Sequence, residues 1–397
     1  MVKGEPEHPA PPPAEAAVAY LVPWGTQASA RFLAAALRRG LQVQVATDAF
    51  SRDGEGHPRG SLILRRGAND DDLPSRVAEL ARNTGARVLA ADRSWVDQGI
   101  DLGSERVRAV SAPRVALAWD APTAVSSAGA WRYLLERKLG YPVAPVRVRD
   151  LGSPWLDQFD VLVLPEGDGY PRALNEDAGD NLKRWVRRGG TLIAVGAAVE
   201  YLAGLELLSI RPELRADAGD EAPGAEAKPA ADGKGDDEQE AASDPVPGTL
   251  ISGDDAYRSA VRPEEERPRE VPGVLVRAAV DADHWLSAGL PDRLPFMMAG
   301  HHIFTPLRLD KGTNVVSFAE AETLVAAGHL WEEARAQLAR KPAVVVQAHE
   351  RGHVIGFAAD PAFRGMMDGL DVLVANAVFF GPAVSEPVPP APPVAAR

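Results

Sequence analysis

The sequence predicts an α/β protein in which a mostly parallel sheet is layered between helices, preceded by a small α/β domain. Three observations carry this reading. Short apolar runs such as RVALAW, FDVLVLPEG and TLIAVG alternate with stretches whose apolar residues recur at helical spacing. The runs are apolar throughout rather than at every second residue, which suits strands covered on both faces. At 397 residues the chain exceeds one ordinary core and points to two or three domains.

Taken in order, residues 1–16 form a Pro/Ala/Glu linker, expected to be disordered because it has little to bury. Order begins with the apolar run Ala17 to Val22. TQASARFLAAALRRG reads as a helix with Phe32, Leu33, Ala36 and Leu37 on one side, stopped by Gly40. LQVQVAT and SLILRR read as strands, LPSRVAELARNTG as a helix and ARVLAA as a closing strand. Residues 17–110 therefore form the small domain.

The larger domain takes residues 111–210 and 247–382. RVALAW is a strand and AGAWRYLLERKLG a helix with Trp131, Leu134, Leu135 and Leu139 on one side. VAPVRVR and FDVLVLPEG are strands. LNEDAGDNLKRWVRRGG is a helix whose acidic start and basic end suit the helix dipole. TLIAVG is the next strand and AAVEYLAGL a short helix. NVVSFAE is a strand, AVVVQA and VIGFAA form a hairpin, and a last helix packs through Leu370, Leu373, Val374 and Phe379. Between these parts, residues 211–246 carry 11 Asp/Glu against 4 Lys/Arg and read as a disordered acidic insertion. DDEQE within it lacks the spaced oxygen ligands and central glycine of a helix-loop-helix calcium site. Residues 383–397 are a Pro-rich tail.

Composition removes several function classes. A net charge of -13 repels phosphate backbones, so nucleic acid is not an expected partner. Without cysteine there is no disulfide, thiolate ligand or cysteine nucleophile. No stretch approaches the ~20 apolar residues of a membrane span, and the first residues have no apolar signal core. The chain is expected to be soluble: cytoplasmic if complete, secreted or periplasmic if it belongs to a longer exported product.

Three places invite a chemical reading. His349-Glu350-Arg351-Gly352-His353 matches the HExxH string of zinc peptidases, which works only on a helix where both histidines face one metal. Here it lies between two β-type runs with Gly352 at the expected turn. Beyond it only Asp360, Asp368 and Asp371 are offered as a third ligand. We read it as a chance match. The loop after TLIAV is where a parallel sheet places its chemistry, but a nucleophile elbow wants Ser or Cys. Gly196-Ala197-Ala198 supplies neither, and Glu200 beyond it reads as an exposed helix residue. Glu166-Gly167-Asp168-Gly169-Tyr170 follows an apolar strand; its acids could meet a ligand, and a solvent-facing turn wants the same residues. Trp24, Trp119 and Trp131 suit a groove or a core equally. His301-His302 shows no partner pattern.

The larger domain resembles the class I glutamine-amidotransferase-like fold, which is of flavodoxin-like type. More specifically, residues 17–382 resemble the region that follows the catalytic domain in large bacterial zinc carboxypeptidases of the M14 family. The stretches that carry the likeness include AYLVPWGTQASARFLAAALRRG, APRVALAWD, WRYLLERKLGYPV, FDVLVLPEG, LKRWVRRGGTLIAVG and GHVIGFAADPAFRGMMDGLDVLVANAVFFGPA. The resemblance implies that the M14 catalytic domain, with its zinc, is absent from this chain. His349 and His353 do not reproduce its HxxE pattern, because the residue three after His349 is Gly352. It also places Ala198 where an amidotransferase keeps its cysteine, so glutamine hydrolysis is not expected. The implied role is a non-catalytic accessory or scaffold region with no cofactor, partnering an M14 domain in cis or in trans. Two alternatives stand beside it: a module binding peptide or glycan through Trp119, Glu166, Asp168 and Glu200, and a cryptic zinc hydrolase using His349, Glu350 and His353.

Overall fold

The computed structural model describes residues 13–213, 253 and 271–385. Most of the expected linker, acidic insertion and tail lies outside these residues, but their edges do not. Ala16 is buried and its N–H reaches the Tyr20 hydroxyl. Pro212 bridges to Phe304, and Ser385 is buried at the end of the last helix. Residues 247–252 and 254–270, assigned to the larger domain from the sequence, also lie outside the described residues.

Residues 17–110 form a five-stranded sheet. Its strands are β1 (Ala19–Val22), β2 (Val43–Ala46), β5 (Leu62–Arg65), β6 (Leu89–Ala91) and β7 (Val107–Val110), in the order β6-β1-β5-β2-β7, every pair antiparallel. β3 (Phe50–Arg52) and β4 (Glu55–His57) form a separate hairpin. Helices α1 (Gln27–Arg38) and α2 (Leu73–Thr84) accompany the sheet. α1 starts where Thr26 and Ser29 cap each other, each side chain bonding the other's backbone N–H. Its buried face holds Phe32, Leu33, Ala36 and Leu37, the four residues the spacing picked out.

The second sheet has ten strands. β8 (Val115–Ala118), β9 (Ala144–Val146), β10 (Val161–Leu164) and β11 (Thr191–Val195) are parallel to one another and to β17 (Gly352–Phe357), in the order β9-β8-β10-β11-β17. Numbered along the chain this is 2-1-3-4-5, the doubly wound order of flavodoxin-like folds. From β17 the sheet continues antiparallel through β16 (Pro342–His349), β14 (Thr313–Phe318), β12 (Val271–Val280) and β13 (Arg293–Gly300), with β15 (Val325–Ala327) beside β12. The α/β class holds, but the sheet is mixed rather than mostly parallel. Crossover helices α3 (Val125–Arg132), α5 (Glu176–Arg187) and α6 (Ala197–Gly204) serve the parallel half, and a short α4 (Tyr170–Ala173) precedes α5.

A buried asparagine joins the two units. Asn376, in the C-terminal helical segment, accepts from the Trp24 indole N–H at 2.8 Å and donates to the Leu286 and Ala288 carbonyls at 2.8 and 2.9 Å. Trp24 rests on Phe380 with ring centroids 4.8 Å apart. Trp24 and Trp131 are thus core residues rather than groove walls. Replacing Asn376 by Ala orphans one donor and two carbonyls in the core, and is expected to cost roughly 2–4 kcal/mol in urea unfolding. A loss below about 0.5 kcal/mol would show that the seam does not depend on this residue.

Candidate functional site

The parallel strands bring their C-terminal ends to one edge, and several polar side chains converge there. β11 ends at Gly196, whose φ of 54° and ψ of −115° turn the chain sharply into α6. That twist is easiest for glycine. Gly196 is therefore the residue at the apex of the elbow. Ala198, expected there, is the second residue of α6 and fully buried in the core. Any Cβ at Gly196 would overlap the carboxylate of Glu166, which fills the space an elbow side chain would take.

Glu166 reaches this place from the loop after β10. Its Oε1 accepts from the backbone N–H of Gly167 and of Ala197, both at 3.0 Å, the second at the head of α6. Such N–H groups favour negative charge. Burial by itself would raise the Glu166 carboxyl, but the hydrogen bond and charge of His302, with the two backbone N–H groups, hold it below its usual range. The Glu166 N–H donates to Ser127 Oγ at 3.2 Å, and that hydroxyl donates to Asp360 Oδ2 at 2.6 Å. Asp360 follows β17, and burial pushes its carboxyl up to about 6 despite Ser127 and the Ala362 N–H.

His302 closes the cluster. One ring nitrogen, Nδ1, lies 2.8 Å from Glu200 Oε1 and the other, Nε2, lies 3.4 Å from Glu166 Oε1. Burial would lower the imidazole, yet Glu166 and Glu200 outweigh it and push the group up to about 10. The backbone holds the ring there: Glu213 N–H donates to the Ile303 carbonyl at 2.8 Å and Thr305 N–H to the Arg211 carbonyl at 2.9 Å. Glu200 is half-buried on α6 rather than a plain surface residue, and His302 does have partners. Nothing local in the sequence announced this pairing, since the two residues lie 102 positions apart. One ligand atom each from Glu200, His301 and His302 lies within 4.8 Å of the others.

The remaining candidates are not drawn into the cluster. Asp168 is exposed, on the rim of a surface groove that also touches Arg172, Glu200 and Tyr201. Trp119 follows β8, is 40% exposed and carries the Arg132 guanidinium 5.1 Å from its ring centre. The HERGH string lies on the β16–β17 hairpin, with Glu350 and Arg351 forming the turn and Gly352 already in β17. His353 pairs with Ala348 and His349 with Gly352, so the two histidines point to opposite faces of the sheet. His349 Nε2 bonds the Leu207 carbonyl at 2.8 Å, while His353 is buried against Trp285, Thr191 and Ser385. Glu350 is exposed, 3.7 Å from Arg187. These three residues do not share a metal position.

No protein-family model matches the chain, and neither does any curated protein sequence. Among solved structures it is similar to a ThuA-like protein from Bacteroides uniformis, at 10% identity and a TM-score of 0.40, over 66% of this chain and 89% of that one. It is similar to PurLQS from Thermotoga maritima at 13% identity and a TM-score of 0.39, over 66% and 97%. A GMP synthase component from Thermoplasma acidophilum is similar at 11% identity and a TM-score of 0.36, over 66% and 92%. Likeness at this level carries no argument about chemistry. No helix among the described residues is long and apolar enough to cross a membrane.

His353, at the opposite end of the parallel strands from the cluster, gives the fold a pH dependence. Burial, with His284 adding, pushes its imidazole down to about 3, against an ordinary 6.5. Between these values the unfolded chain holds a proton that the folded chain does not. Stability from this group is therefore full above about 6.5 and is lost as pH falls towards 3. His284, lowered to about 4 by burial, acts in the same direction. His302 and Asp360, both raised in the folded chain, act in the opposite direction in either protein, so the urea midpoint is expected to fall less between pH 7.5 and 5 in His353→Gln than in the unaltered chain. Equal falls in both proteins would show that His353 is not held neutral.

Proposed function

We propose that the chain is a non-catalytic accessory module that supports, orients or supplies substrate to an M14-type zinc carboxypeptidase domain, in cis or in trans. The observation that supports a non-catalytic role is the Glu166 carboxylate seated over Gly196. Acyl transfer at a strand-to-helix elbow needs a nucleophile at the apex and free backbone N–H groups for the oxyanion. Here the apex residue has no side chain, and the Ala197 N–H already holds a carboxylate of the protein itself. A substrate carbonyl would have to displace an anion tied down by His302 as well.

The pairing with an M14 domain rests on the resemblance of APRVALAWD, LKRWVRRGGTLIAVG and GHVIGFAADPAFRGMMDGLDVLVANAVFFGPA to the region that follows such a domain. A layered body carrying its own filled elbow suits a part that holds position rather than one that turns over substrate.

Two measurements test the reading. The purified chain, with and without added zinc, is expected to release neither ammonia from glutamine nor C-terminal amino acids from peptides. Turnover that disappears in Glu166→Gln would overturn the non-catalytic assignment. In source cells, an antibody to residues 113–210 is expected to detect a polypeptide that contains an M14 domain or co-purifies with one in stoichiometric amount. A native product that neither contains nor binds such a domain contradicts the pairing.

A further inference from the structure

We propose that Glu200, His301 and His302 bind a divalent transition-metal ion, with Glu166 orienting His302 from behind. The site is built where the antiparallel half of the large sheet returns to the ends of the parallel strands. His301 and His302 follow β13, and Glu200 lies in the first turn of α6. A ligand atom from each residue lies within 4.8 Å of the others. Around a tetrahedral ion, ligand atoms about 2.0–2.2 Å from the metal stand about 3.3–3.6 Å apart. His301 is exposed and Glu200 half-buried, so rotation of these two side chains can supply the closure. His302 is buried and fixed by its neighbours, which gives the ion one preorganised ligand.

The donor set selects the class of ion. Two imidazoles and one carboxylate suit zinc, cobalt, nickel or copper, whereas calcium and magnesium prefer all-oxygen sites. Three protein ligands leave one position for solvent oxygen, on the side where His301 meets water. The charges also fit. Glu166 and Glu200 carry two negative charges on either side of the His302 ring; the ion takes the place of the Nδ1 proton, which leaves to solvent, and the dication then balances both carboxylates.

The arrangement behind His302 is what separates this site from a chance grouping. A metal-bound histidine commonly donates its second ring N–H to a carboxylate, which fixes the tautomer. Glu166 lies on the Nε2 side at 3.4 Å, while Nδ1 faces Glu200 at 2.8 Å. Glu166 is itself held by the Gly167 and Ala197 N–H groups. With Nε2–H directed at Glu166, the Nδ1 lone pair points into the Glu200 and His301 side. The ion would then tie the segment after β13 to α6, beside the short pairing of 303–305 with 211–213 in the chain that follows α6. This inference is independent of the accessory role, because a metal clamp would stabilise the module whichever partner it serves.

The test uses the full chain, stripped with EDTA and dialysed against zinc chloride, with metal content, thermal unfolding and the visible spectrum of the cobalt form as readouts. One zinc per chain is expected, with a raised Tm and d–d absorption from cobalt held by nitrogen and oxygen. His301→Ala and Glu200→Gln each change an accessible side chain, and each is expected to weaken zinc binding at least tenfold. Glu166→Gln is expected to weaken it about 10–100-fold. His349→Ala, at the opposite end of the strands, is expected to leave binding unchanged. Absence of retained zinc overturns the proposal. So does zinc retained with equal affinity by His301→Ala and Glu200→Gln, which would place the ion on the acidic stretch 211–246 or the hairpin.

Discussion

The arrangement at the strand ends depends on one steric exchange: the backbone of β11 gives up a side chain at Gly196, and the carboxylate of Glu166 moves into the space. A half-buried carboxylate needs donors, and this one has the N–H groups of Gly167 and Ala197 and the imidazole of His302. Each donor fixes something in turn. Ala197 sets the start of α6 and so the direction of Glu200. His302 fixes the return of the chain after β13. Through Ser127 and Asp360, the same loop is tied to α3 and to the end of β17. Loss of the carboxylate would leave donors from several elements without an acceptor.

A second polar contact has a comparable role at the other seam. Asn376 satisfies a tryptophan N–H and two carbonyls in a place where the surrounding residues are Leu, Ala and Phe. Both seams follow one rule. Apolar burial holds the layers together without choosing a register, and a fully satisfied buried polar group chooses it. The small antiparallel sheet and the large mixed sheet are thus fixed to each other by geometry that hydrophobic packing alone would leave loose.

Much of the fold was legible in the sequence because its signals are local. The helical spacing of Phe32, Leu33, Ala36 and Leu37 gave the buried face of α1, and the apolar runs gave β8, β10 and β11. The hairpin under HERGH was legible from its β-type flanks. The antiparallel half was read only in part. In β13, Pro295 broke the pattern, although Leu294, Phe296 and Met298 alternate inward as a half-buried strand should. The cluster was harder. Glu166 and Glu200 drew notice as strand-end acids, but their meeting with His302 is made by topology: β13 returns across a ten-stranded sheet to deliver it. A chain read locally has no signal for such a contact. The elbow shows the same limit, since the motif spacing pointed at Ala198 while the backbone put the turn at Gly196.

The most direct measurement is a double-mutant cycle between Gly196 and Glu166, read by urea unfolding. Gly196→Ala carries two costs: the positive φ at that position, which is the same in any background, and overlap with the carboxylate, which exists only while Glu166 is present. The account requires Gly196→Ala to be much more destabilising in the otherwise unaltered chain than in Glu166→Gly, with a coupling of at least about 1 kcal/mol. Equal costs in the two backgrounds would mean that the carboxylate does not occupy the elbow, and the reading of this site as filled from within would fail.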